Sequence, residues 1–190
     1  MPVQRGSMVT ATKVSATKTK KKPPAKPLTL SQLRVEIAKD VIAQIKMKTF
    51  EVSPGNYITT SLEFRKSLMD IEIDSLPRGF KIKNCEACAI GATFISVFNK
   101  NNALSTNDLK DVISDDNEMV AYLSKPENGG FSSGQLRLME IAFEGREVCE
   151  SHRDTRKALE FYQKHGVLGS GKLLIAIMKN VIKNKGEFIP

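Results

Sequence analysis

Cys85-x-x-Cys88 and Cys149-x-x-His152 supply three thiols and one imidazole, a donor set that zinc holds tetrahedrally in closed structural sites. The two pairs stand far apart in the chain, and the first lies inside an apolar run. Core cysteine, a small apolar group that needs no cofactor, is therefore the commoner reading of Cys85 and Cys88. A thioredoxin-type redox pair needs a preceding βαβ pattern, which the flanking sequence lacks. With three cysteines, an oxidising compartment would leave one unpaired, and the first thirty residues contain no apolar signal core. Both points favour a reduced, cytoplasmic setting.

Gly166-Val167-Leu168-Gly169-Ser170-Gly171-Lys172 fits G-x-x-x-x-G-K, the body of a phosphate-binding loop. Leu173 stands where Ser or Thr should hold magnesium, the preceding pattern is helical, and too little chain follows for such a fold. A Gly-rich turn between two helices explains the run better, with exposed N–H groups that could meet an isolated anion. Asp115-Asp116-Asn117-Glu118 is acidic but lacks the alternating ligands and central Gly of an EF-hand loop, so it reads as a solvated turn. His165, just before a helix-ending Gly166, suits the negative end of a helix dipole better than catalysis. No Ser-His-Asp order or H-E-x-x-H motif occurs.

Charge is distributed very unevenly. Residues 1–27 hold Arg5, Lys13, Lys18, Lys20, Lys21, Lys22 and Lys26 with no acid, while the remaining 22 basic and 21 acidic residues nearly cancel. With few apolar groups to offset the entropy of ordering, this segment reads as a disordered arm. It is either a solvated tail or a polyelectrolyte arm whose lysines bind nucleic acid by releasing counterions. Without aromatic residues it offers no base stacking. In a eukaryotic host the same lysines could also address the protein to the nucleus.

The elements that must position these residues read mainly as helices. Ser31 caps a helix over 32–48 whose Leu33, Ile37, Val41 and Ile45 face inward and whose Arg34, Lys39 and Lys46 face outward. Ser53-Pro54-Gly55-Asn56 marks a short hairpin or a fixed loop. Residues 62–73 mix helical spacing with alternation, and Pro77-Arg78-Gly79 breaks the chain. Asn84 then caps a helix from Cys85 to Phe98, apolar all round, with Cys85, Cys88 and Ala92 on one face and Gly91 allowing a neighbouring helix to approach. Ser105 or Thr106 caps a segment interrupted at Ser114–Asn117, helix resumes over Met119–Leu123, and Pro126–Gly130 is a loop. Ser132 and Gln135 form a capping box with a Phe131–Leu136 staple, and Gly145 ends that helix. Asp154 caps the next, and the last runs over 172–185 with Gly186 as its C′ residue. Residues 28–190 thus read as a single, compact, multi-helix domain around a buried central helix.

The Cys85-x-x-Cys88-Ala89-Ile90-Gly91-Ala92 motif and the ending Ile177-Met178-Lys179-Asn180-Val181-Ile182-Lys183-Asn184-Lys185-Gly186-Glu187-Phe188-Ile189-Pro190 resemble segments of small uncharacterised proteins of bacteria and their phages. The resemblance covers about residues 30–190 and implies a small cytoplasmic accessory protein, with no catalytic residue to carry over. The expected function is a non-enzymatic module that binds a protein partner and attracts nucleic acid through Lys13, Lys18, Lys20, Lys21, Lys22 and Lys26, with no membrane partner. The alternative is a small enzyme or zinc-stabilised module using Cys85, Cys88, Cys149 and His152.

Overall fold

The computed structural model describes residues 27–55, 57–60, 80–101, 104–146 and 153–190. The arm lysines up to Lys26, the 62–73 segment, the Pro77–Gly79 break, Cys149 and His152 lie outside the described residues. The fold is mainly α, with seven helices and one small sheet among the described residues. The helices are α1 Leu30–Met47, α2 Ala89–Asn101, α3 Thr106–Ser114, α4 Asp116–Ser124, α5 Ser133–Glu144, α6 Arg153–His165 and α7 Ser170–Lys183. Three short strands, β1 Glu51–Val52, β2 Ile58–Thr60 and β3 Cys85–Ala87, form a sheet in the order β1-β3-β2. No helix among the described residues is long and apolar enough to cross a membrane.

Every residue from Ala89 to Phe98 is buried, as the all-round apolar pattern of the central helix predicts. Helix α2 packs against α1, α4, α5 and β3. Phe94 stacks on Phe98 at 5.9 Å and meets the Tyr122 ring edge-on at 5.2 Å. The start of this helix differs from expectation. Cys85–Ala87 is the middle strand of the sheet, parallel to β1 and antiparallel to β2, so Asn84 is no helix cap. Alternation explains the strand: Cys85 and Ala87 point inward and Glu86 outward. Asn84 instead takes a left-handed conformation with φ 55° and donates its N–H to Thr49 O.

The same strand displaces the expected hairpin. β1 and β2 flank β3 and do not pair with each other, so Ser53–Gly55 spans a crossover rather than a hairpin turn. Gly91 does permit a close approach, but its neighbour is the chain entering β2. A Cβ at Gly91 would overlap the Tyr57 carbonyl oxygen and come 2.9 Å from Ile58 Cγ1.

Helix α1 begins two residues earlier than the apolar pattern implies. Thr29 is its N-cap, and Gln32 completes a capping box by accepting from the Thr29 N–H at 2.9 Å. Ser31 is released to donate its hydroxyl to the Lys185 carbonyl. Gly186 packs against Ser31 and Gly171 against Ile45, so α7 runs antiparallel to α1. Arg34 does not face solvent: its Nε donates to Gly129 O at 2.9 Å, another guanidinium N–H reaches Gly130 O, and the head lies over the Phe131 ring. It thereby locks a turn whose two glycines both have positive φ.

Several expected caps hold in altered form. Ser105 caps α3, and Asp115 both closes α3 and opens α4. Ser132 caps α5 through the Gln135 N–H, but the Gln135 side chain accepts from the Phe188 N–H at 2.7 Å instead of closing a box. That bond seats Phe188, 1% exposed, edge-on to Phe161. Asp154 lies inside the first turn of α6 rather than before it. α7 starts at Ser170 and ends at Lys183, so Lys185, with φ 55°, takes the C′ place and Gly186 follows it. The pair of bonds from Lys185 N to Ile182 O and from Gly186 N to Val181 O marks a Schellman ending.

Candidate functional site

Cys85 and Cys88 are both free thiols in the core. Cys85 sits on β3, while Cys88 joins β3 to α2, its N–H donating to Tyr57 O at 3.2 Å. Burial pushes the Cys85 thiol up to about 11, and burial, with a smaller push from Glu144 and Glu140, takes the Cys88 thiol up to about 12. A thiol so shifted is protonated at neutral pH and is no ready nucleophile. Among the described residues no group of three or more His, Cys, Asp or Glu side chains is placed to hold a metal ion.

The Gly166–Lys172 run joins two helices, as the sequence suggests, through a single tight turn at Gly166–Leu168. Val167 is 86% exposed, and no side chain caps the first N–H groups of α7. His165 ends α6 and packs on the Phe161 ring at 4.5 Å. Asp115 caps α4 by accepting from the Asn117 N–H at 2.7 Å, and Asp108, in the first turn of α3, accepts from the hydroxyl of the Ser105 cap at 2.6 Å, which engages two carboxylates of the acidic α3–α4 surface.

The most developed polar feature lies along α1. A hollow of about 630 Å³ is bounded by α1, the end of α2 and the irregular run before β3. Its floor is a network: Asp40 Oδ2 accepts from Gln44 Nε2 at 2.6 Å and from the Ser96 hydroxyl at 2.7 Å. The Asp40 contact fixes the Gln44 amide orientation, since the flipped form would set two oxygens face to face. Gln44 Oε1 is then a buried acceptor with no partner among the described residues. Beside it Asn99 clamps the backbone of Ile82, its Oδ1 accepting from Ile82 N at 2.8 Å and its Nδ2 donating to Ile82 O at 3.0 Å. This holds Lys81 at the hollow's edge, across from Lys100.

A second hollow of about 580 Å³ adjoins the first, sharing Glu36, Lys39 and Lys100 and extending to Leu28 and Lys185. Lys39 donates to Glu36 at 2.8 Å, and this bond with the nearby charges of Lys39 and Lys100 lowers the Glu36 carboxyl below its ordinary value. None of these groove residues belongs to a recognisable motif. One signal was available: Gln44 continues the inward stripe of Ile37 and Val41 at helical spacing, and a polar residue in a buried stripe needs partners. No family model, curated protein or solved structure matches the chain.

Proposed function

We propose that the protein is a non-enzymatic accessory module of the cytoplasm. Its Lys-rich arm attracts nucleic acid without reading sequence, while its helical body engages a protein partner. The observation that carries this reading is the segregation of charge. Of a formal net charge of +8, nearly all resides in residues 1–27, and the other 22 basic and 21 acidic residues nearly cancel. A dense run of lysines gains free energy on a phosphate backbone by releasing condensed counterions, and that gain depends on salt. The enzyme alternative draws no support from Cys85 and Cys88, whose thiols are buried and held protonated.

The test neutralises the arm in the full chain, replacing Lys13, Lys18, Lys20, Lys21, Lys22 and Lys26 with Gln. Binding to a labelled oligonucleotide should weaken, and the slope of log K against log salt should shrink by about 0.7 to 0.9 for each lysine that met a phosphate. Unchanged affinity and slope would remove the arm from the function.

A further inference from the structure

We infer that the groove along α1 is a second nucleic-acid contact, a track for the phosphate backbone. The inference rests on the proposed attraction of the arm to nucleic acid. The two hollows share Glu36, Lys39 and Lys100 and together follow α1 from Ser31 to Met47, with Leu28 just before the helix. At about 1.5 Å per residue that face is roughly 28 Å long, room for several successive phosphates.

Local charge decides the occupant. Lys39, Lys81, Lys100 and Lys185 line the groove against Glu36 and Asp40. Both acids are engaged, Glu36 by Lys39 and Asp40 by Gln44 and Ser96. Lys81, Lys100 and Lys185 are exposed and form no ion pair among the described residues. Four lysines against two acids give the groove an excess of positive charge in a body whose charges otherwise nearly cancel. Their spacing over two hollows suits an extended polyanion better than a compact one.

Continuity with the arm adds a second argument. The arm meets the body at Leu28, which lines the groove's far end, so a strand held by the arm is delivered to Lys185 and Lys100. The second contact is then intramolecular, and its contribution is set by effective concentration rather than by bulk affinity. Phosphates rather than base edges meet the lysines, so binding is indifferent to base sequence.

The experiment titrates the full chain against labelled single-stranded and duplex oligonucleotides of unrelated sequence at several salt concentrations. A groove variant carries Lys81→Glu, Lys100→Glu and Lys185→Glu. A control carries Lys164→Glu, Lys172→Glu and Lys179→Glu, three exposed lysines outside both hollows with the same change in net charge. The groove variant should bind at least tenfold more weakly than the control at low salt, with a salt slope lower by about 2 to 3. The milder Lys→Gln triple at the groove should move in the same direction without added repulsion. Groove and control variants binding alike would overturn the track and, if the arm-neutralised protein still binds poorly, leave the arm reading intact. An arm-neutralised protein that binds as well as the parent overturns the arm reading itself, whatever the groove variants do. Affinity that follows base sequence would also overturn a backbone track.

Discussion

The strand-to-helix segment from Cys85 to Phe98 and the groove along α1 meet at Ser96, whose hydroxyl reaches from the buried helix to Asp40. On one side are the residue types with the greatest intrinsic reactivity, two thiols, enclosed by apolar groups and held protonated. On the other are ordinary lysines, a glutamine and an aspartate, arranged around open hollows with a buried carbonyl oxygen that has no partner among the described residues. Reactivity by residue type and accessibility to a ligand are therefore separated in this molecule, because desolvation silences the thiols while the groove keeps its polar groups within reach of solvent.

The largest effects should come from the buried side. Phe94, 0% exposed and packed on Phe98 and Tyr122, should cost about 3 to 5 kcal/mol when replaced by Ala. Gly91→Leu should reach or exceed the top of the usual overpacking range of about 1 to 3 kcal/mol, since its Cβ alone collides with backbone rather than with a yielding side chain. By contrast Met47→Ala, on a groove residue 68% exposed, should stay within about 0.5 kcal/mol. Denaturant titration of the three variants checks the contrast, and a near-neutral Phe94→Ala would take α2 out of the core.

The next effect is alkaline. An unfolded thiol ionises near pH 8.5, whereas Cys85 and Cys88 stay protonated in the fold up to about 11 and about 12. Between those values the unfolded chain has lost protons that the native state retains, so stability falls as pH rises, by about 2 kcal/mol per thiol near pH 10. Tyr122, pushed up to about 12 mainly by burial, adds to the loss above about pH 10. Thermal melts across this window should show a steeper decline for the parent than for Cys85→Ala or Cys88→Ala. Equal slopes would mean that the thiols are solvated. Thiol reagent at neutral pH should accordingly modify neither cysteine until the protein unfolds.

The sequence conveyed the helices through their spacing and caps, because a buried helix writes its environment into every third or fourth residue. Ile37 and Val41, the Ser105 and Ser132 caps and the Gly145 stop are local signals that the fold obeys. What stayed hidden was non-local. Three residues, Cys85–Ala87, are too short a run to announce a strand, and only pairing with β1 and β2 makes them one. Gln135 fits a capping box by sequence, yet the N–H of Phe188, whose ring is buried, takes the amide oxygen. The groove was equally illegible, since Lys81, Lys100 and Lys185 become neighbours of α1 only once the helices pack.

The smallest effect tests the polar floor where the two regions touch. Asp40 serves two donors through one oxygen, so Asp40→Ala takes the acceptor from the Gln44 amide nitrogen and leaves the Ser96 hydroxyl only its longer bond to Ile37 O at 3.4 Å, and removing the shared partner should cost about 1 to 3 kcal/mol. Gln44→Leu removes a donor and, with it, the unpartnered Oε1, while Asp40 keeps the Ser96 bond. Loss of a hydrogen bond and relief of a buried unsatisfied acceptor act in opposite directions, and the volumes of the two side chains are close. The change in stability should therefore stay below about 1 kcal/mol. A double-mutant cycle between the two positions isolates their coupling. If Gln44→Leu destabilised as much as Asp40→Ala, Oε1 would have a partner in solution, such as an ordered water, and the floor would be a closed structural network instead of one with an acceptor to spare.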